Sequence, residues 1–357
     1  MMKSYIFYSF VACVSFVSCN PGVSFQEVDI FQEFPEPIFL APDKEYHLSL
    51  DHPMDYLVID SLLFTIELTQ DRFVRCTNLN TEREVSFFLS KGRGPGELIN
   101  GLAMRYISDS IQVYGDHLTI LQFAIRDVLN GIKVSDYRTY QMKGDFLVRN
   151  HAFKFNETTA LFHGTLASQE DEHRFCLYDF STDAYRTFGD YNPDFFKNMD
   201  LGRTGKNLIN QVCIQFHPDM DRFVAVTSNF KSIEIYDLNS TEMIASRYYE
   251  LPKADIQKSG YFTFTFASEE QKGFSVYCTK QAIYCFYAER KPIEGEANRS
   301  LYIFVFDWQL NPLTCYAMPA ASPNCFVTAD DCFIYTSIID SKTGEYVFCR
   351  YETGLTF

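Results

Sequence analysis

Apolar and polar residues alternate in short runs along most of the chain, and the runs are broken by Asp, Asn, Ser and Gly. A run-then-turn unit recurs. Phe175-Cys176-Leu177-Tyr178-Asp179 ends at the turn Ser181-Thr182-Asp183, and Tyr185 opens the next run. Ile233-Glu234-Ile235-Tyr236-Asp237 leads in the same way into Asn239-Ser240-Thr241, and Tyr302 to Asp307 into Asn311-Pro312. Val347 to Glu352 is a fourth copy, and weaker copies end at Thr77 and Phe123. Alternating β-branched and aromatic residues suit half-buried strands, and the small polar residues suit tight turns.

The six copies end at Thr77, Phe123, Asp179, Asp237, Asp307 and Glu352, about 55 residues apart on average. A four-stranded propeller blade with its loops takes roughly 40–50 residues. The pattern therefore predicts an all-β fold, a six-bladed β-propeller over residues 45–357. A pair of sandwiches would need a linker, and no Pro/Gly/Ser-rich stretch supplies one; a β-helix would need shorter turns. The last copy stops after a third strand, and an open strand edge invites aggregation. An N-terminal strand, from Val23 to Ile30 or from Tyr46 to Leu50, is expected to close that blade, with Pro35, Pro37 and Pro42 holding an extended connection. Glu289 to Asn298 reads as a polar inserted loop, and Gln122 to Asn130 as a short helix.

The start of the chain has a different pattern. Lys3 precedes an apolar run of 13 residues, Tyr5 to Val17, followed by Ser18-Cys19. A membrane-spanning helix needs about 20 residues, so the run reads as a signal peptide over residues 1–18. A small residue directly before a cysteine resembles the lipobox of bacterial lipoproteins, although Phe16 stands where Leu is usual. The resemblance implies cleavage before Cys19, lipidation of its thiol and a membrane anchor, since two or more acyl chains hold a protein stably on a bilayer. Residues 19–44 would then be a lipidated connector. The expected location is the cell envelope, with the outer membrane favoured and the leaflet face open.

Charge and cysteine content narrow the partners. The formal net charge is −15, and the signal segment would remove Lys3 and no acid. This charge, with no basic stripe, argues against phosphate-backbone binding, so no nucleic-acid partner is expected. Of 11 cysteines, nine lie beyond Cys19. No C-x-x-C occurs, and most sit in apolar runs, so they read as small buried hydrophobes rather than a disulfide framework.

Two motifs point to a family. Ile214-Gln215-Phe216-His217-Pro218-Asp219, followed by Arg222 to Val226, resembles the strand–turn–strand repeat of TolB-type propellers. Lys91-Gly92-Arg93-Gly94-Pro95-Gly96-Glu97-Leu98 resembles the G-x-G-P-G-E signature of TolB-like six-bladed propeller lipoproteins from Gram-negative gut bacteria. The resemblance implies fold and location, and little chemistry.

Candidate chemistry has to be read against that fold. The glycines at 92, 94 and 96 are not followed by Lys-Ser/Thr and do not open a helix, so they favour backbone passage over a phosphate cradle. The sequence has no H-E-x-x-H, no G-x-S-x-G and no EF-hand loop. Its one Trp, Trp308, follows a strand end and is expected to pack in the core. In a propeller, residues far apart in sequence meet where the inner strands begin. Asp55, Arg149-Asn150-His151, Asn210-Gln211, Tyr261 and Asn324 are read as starts of inner strands. The loop with Arg93 and Glu97 is read as crossing the channel mouth, where the two form an ion pair or face a ligand. The candidate ligand set is thus Arg93, Glu97, Arg149, Asn150, Asn210, Gln211 and Asn324, with Arg93 suited to a carboxylate. Two function classes stay open: a binding or scaffold module for glycan, peptide or protein, and a hydrolase or lyase with a metal at the channel mouth. No metal ligand and no cofactor is assigned.

Overall fold

The computed structural model describes residues 28–357, apart from 68–70, 116–117, 167–172, 197–202, 252–253, 260, 267–272, 289–299, 320–323 and 341. Six sheets form the blades of a β-propeller. Blade 1 consists of Pro53–Ile59, Leu62–Glu67, Arg72–Asn78 and Arg83–Ser90; blade 2 of Gly101–Ile107, Ser110–Gly115, Thr119–Ala124 and Arg138–Gln141. Blade 3 contains Phe146–Lys154, Thr159–Leu166, Phe175–Asp179 and Ala184–Phe188; blade 4, Val212–Phe216, Arg222–Thr227, Ser232–Asp237 and Met243–Tyr248. Blade 5 runs through Ser275–Cys278, Ala282–Ala288, Ser300–Asp307 and Pro312–Pro319; blade 6 through Phe326–Val327, Phe333–Ile339 and Tyr346–Glu352. The first strand of each blade packs beside the first strand of the next, from blade 1 round to blade 6 and back. All six residues that end the sequence repeat lie on third strands. The second and third strands, each with a neighbour on both sides in the blade, carry the most buried runs.

The ring is closed by the N-terminal segment. Lys44–Tyr46 pairs antiparallel with Tyr346–Glu352 and completes blade 6, with Tyr46 opposite Phe348. The donor therefore begins two residues before the expected Tyr46. An ion pair between Arg350 and Asp43, with Nε to Oδ2 at 2.9 Å, fastens its start. Upstream, Ile38–Phe39 adds a parallel fifth strand beside Pro312–Pro319 of blade 5. Further upstream, Ile30 and Phe34 are buried among Val224, Ile235, Phe304 and Phe306. This strap runs from blades 4 and 5 to blade 6 and covers edges that would otherwise be open.

Two local readings are corrected. The helix expected over Gln122 to Asn130 is shorter, Ile125–Leu129, because the third strand of blade 2 continues to Ala124. Tyr261 does not start an inner strand. It lies in a separate hairpin, Ala254–Ser259 with Tyr261–Phe266, inserted between blades 4 and 5. That hairpin accounts for part of the wide gap between the repeats at Asp237 and Asp307. The expected Glu289 to Asn298 loop lies outside the described residues, as do residues 1–27 with Cys19. Among the described residues, no helix is long and apolar enough to cross a membrane.

Apolar side chains fill the seams between blades, and each seam also carries a polar tie. The Asp55 carboxylate accepts from the Met104 backbone N–H (2.7 Å) between blades 1 and 2, and the Gln112 side chain from the Lys154 N–H (3.0 Å) between blades 2 and 3. Arg174 meets Glu234 at 2.6 Å between blades 3 and 4. Gly273 N–H donates to the Ser228 carbonyl between blades 4 and 5, and the Tyr284 hydroxyl to Asp331 (2.8 Å) between blades 5 and 6. The Asn324 amide donates to the Met54 carbonyl between blades 6 and 1. The apolar packing is non-directional; these ties give each seam a fixed register. The nine cysteines beyond Cys19 are free thiols, and seven are buried.

Candidate functional site

All six inner strands run in the same direction along the propeller axis, because every blade starts at the centre and meanders outward. Two faces result. One carries the starts of the inner strands; the other carries the turns from first to second strands. A cavity of about 950 Å³ occupies the axis and is lined from all six blades. It reaches the turn face at Asp60, Ser108, Pro218 to Asp221, Lys280 and Asp330. At this size it could hold a small-molecule ligand or a short chain segment.

Arg105 stands on the inner strand of blade 2 and lines this cavity. Its guanidinium lies over the ring of Phe216 from blade 4, 3.8 Å from the centroid. Phe216 in turn stacks with Phe155 of blade 3 at 5.8 Å. The Arg105 Nη1 is shielded from solvent and has no hydrogen-bond partner among the described residues. The ionisable groups close enough to act on it are the Tyr277 phenol and the Cys278 thiol of blade 5. Burial raises the pKa of both, so at neutral pH neither supplies an anion. Desolvation pulls the Arg105 pKa down to about 9, which still leaves the group charged at pH 7. The axis thus holds a cation that forms no ion pair among the described residues, braced on an aromatic face.

Several other polar residues of the cavity have partners in the fold. Asp55, on the inner strand of blade 1, accepts from the backbone N–H groups of Met104 and Tyr56 at 2.7 and 2.9 Å. Burial nonetheless lifts its pKa to about 6. His217 Nδ1 accepts from the N–H groups of Asp219 and Met220 (3.0 and 2.9 Å), which closes the Pro-Asp turn between the first two strands of blade 4. The His217 ring packs on Trp308 at 4.5 Å, and Trp308 is buried as expected, donating to the Thr279 carbonyl. The turn-face rim is acidic: Asp60, Asp219, Asp221 and Asp330 face one lysine, Lys280, which pairs with Asp219 at 2.7 Å. Among the described residues, no group of three or more His, Cys, Asp or Glu is gathered as a metal site.

Comparison with known proteins agrees with this architecture. The profile of the TolB-like 6-blade propeller-like family matches residues 31–330. The chain belongs to that family. No curated protein matches the sequence. Among solved structures, a member of the DUF4221 family from Bacteroides vulgatus aligns with TM-score 0.55 at 12% identity, covering 88% of this chain and 97% of its own. A candidate exported protein from Bacteroides fragilis aligns with TM-score 0.52 at 12% identity, covering 91% and 96%. At such identity the likeness concerns the fold alone.

In this TolB-like propeller, Asn324 is the one member of the expected ligand set that lines the cavity among the described side chains. It lies just before the inner strand of blade 6, where its amide ties blade 6 to blade 1. The Gly92 to Glu97 stretch links the outer strand of blade 1 to the inner strand of blade 2, as expected. Glu97 turns back into its own loop: its carboxylate accepts from the Gly94 N–H at 2.8 Å and occupies the space a side chain at residue 92 would need. A side chain at residue 92 would displace the Glu97 carboxylate from the Gly94 N–H. Gly96 is required by its φ of +72° and by Tyr137 and Val134 close above it. No Arg93–Glu97 ion pair forms among the described residues, and Arg93 is exposed. Asn210 and Gln211 precede the inner strand of blade 4, following the helix Arg203–Ile209. The Asn210 side chain is fully buried. Arg149, Asn150 and His151 lie within the blade 3 inner strand, at an irregularity of pairing between Val148 and Ala152; their side chains fall outside the described part. The sequence reading missed Arg105. Its signal was present: a cation inside the run Gly101–Ile107, at the start of a predicted blade.

Proposed function

We propose that this protein is a lipid-anchored, extracytoplasmic binding module whose axial cavity receives a glycan, a peptide or a segment of a protein. The observation that carries this reading is the roomy axial cavity with Arg105 held uncompensated in its wall. A charged side chain left without a partner is costly to keep away from water, and a ligand that completes it is bound preferentially. The hydrolase or lyase alternative has no comparable observation behind it. Support for an extracytoplasmic location comes from the signal-like run before Cys19 and from the exported-protein description of the Bacteroides fragilis relative. On this reading, exposed Arg93 is available to a partner docking at the face of the strand starts.

Binding is tested by a thermal-shift panel of neutral and charged oligosaccharides and peptides on the full chain in detergent. Ligands that bind the native state raise its apparent stability. Hits are expected, and Gln215→Trp, which places a large ring in the cavity, should abolish them. Hits that survive this substitution would remove the cavity from the proposal. The anchor is tested by metabolic labelling with a fatty-acid analogue: Cys19→Ala should lose the label and leave the membrane fraction, and retained labelling would rule out Cys19 as the anchor.

A further inference from the structure

We propose that Arg105 is the recognition point of the axial cavity and that it selects a short peptide through its free C-terminal carboxylate. The inference rests on the binding role proposed above and names the ligand class. Three observations carry it. First, the guanidinium is a planar fork, and Phe216 holds it in one orientation at 3.8 Å. Such a fork matches a carboxylate with two parallel hydrogen bonds. Second, among the described residues no carboxylate pairs with it. Asp55, the acidic residue of the neighbouring inner strand, is committed to two backbone N–H groups, and the nearby phenol and thiol of Tyr277 and Cys278 are held neutral. Third, the rim of the same cavity is acidic. Among the described lining residues of the rim, Asp60, Asp219, Asp221 and Asp330 are set against one lysine, Lys280.

The mouth of the cavity is acidic, and within it Arg105 is the cation, while Asp55 is tied to backbone N–H groups. A phosphate dianion or a polyuronate would bring two or more negative charges past the acidic rim to meet one cation. A peptide brings one carboxylate to Arg105 and leaves its ammonium group toward the rim. The walls beside Arg105 are apolar or aromatic, with Phe216, Phe155, Met104 and Tyr277 among them. They suit short apolar side chains next to the carboxylate.

The test uses the full chain in detergent and isothermal titration calorimetry with trialanine, trialanine amide and trigalacturonic acid. Trialanine should bind, and its amide should bind roughly ten- to a hundredfold more weakly, the usual worth of a charge-assisted hydrogen-bond pair. Arg105→Gln should bring the acid down to the level of the amide. Equal binding of acid and amide by the unaltered protein would overturn the role of Arg105 even if that variant failed to fold. Tighter binding of trigalacturonic acid than of trialanine would overturn the peptide assignment and leave Arg105 as a site for acidic sugar. Binding of neutral compounds that is blocked by Gln215→Trp and insensitive to Arg105→Gln would keep the cavity and reject this inference. Absence of binding by every compound, here and in the wider panel, would reject both.

Discussion

Two arginines in this propeller occupy opposite situations. Arg174 lies in the seam between blades 3 and 4, 1% exposed, with Glu234 at 2.6 Å. Tyr248 and Tyr236 hydroxyls donate to the same carboxylate at 2.8 and 3.1 Å. Desolvation is the largest single influence on Arg174 and lowers its pKa, but Glu234 together with Tyr236 and Tyr248 more than offsets it, and the pKa rises. Arg105 lines the axis and has an aromatic ring in place of a carboxylate, so desolvation prevails and its pKa falls to about 9. A cation needed for the seam is neutralised by the chain itself. A cation left open to a cavity is available to something that arrives from outside.

The largest test of this contrast removes the built-in partner. Glu234→Ala should cost about 3–5 kcal/mol in a denaturant melt, because it strands a fully buried charge. A loss below about 1 kcal/mol would mean that Arg174 finds water or another partner, and the two arginines would no longer differ in kind.

A second test uses Asp55, which has hydrogen bonds but no cation. Its folded pKa, about 6, lies above its ordinary value of 3.8. The folded state therefore binds the Asp55 proton more tightly than the unfolded chain does. The contribution to stability is full below pH 4, declines as pH rises to 6 and is absent above that. The decline is worth about 2 kcal/mol, counting 1.4 per unit and allowing for the water that reaches the cavity. Subtracting the pH–stability curve of Asp55→Asn from that of the unaltered protein should reveal it. A flat difference would place Asp55 in a solvated position.

The smallest effect is expected at Arg105. In the absence of ligand, Arg105→Gln should change stability by about 1 kcal/mol or less, since the lost cation–π contact is offset by relief from desolvation. A loss as large as that of Glu234→Ala would make Arg105 a structural residue like Arg174.

The repeat was legible because a blade is a local object. Each meander of four strands is set by alternation and turn chemistry within about 50 residues, and the third strands, most of them running into a polar turn, stood out most. Asp179 shows how local the signal is: its carboxylate accepts from the Ser181 N–H at 2.7 Å, two residues away in the turn read from the sequence. The Pro-Asp turn closed by His217 is local in the same way. The hairpin containing Tyr261 was misread because its alternating pattern is that of any strand pair, and nothing within it says whether it faces the axis.

The sequence by itself determined the number of blades, the need for an N-terminal strand to close the ring, and the buried free thiols. These depend on periodicity, strand count and apolar context, which neighbouring residues carry. Only the tertiary structure decided which polar residues share a site. Asn210 was read as part of a mouth and is buried; Glu97 was read as facing the channel and is held by Gly94. Arg105, an ordinary residue in an ordinary strand, lies over Phe216, which is 111 residues further along. Which charged group has a partner is a property of the space between blades, and closing the ring creates that space.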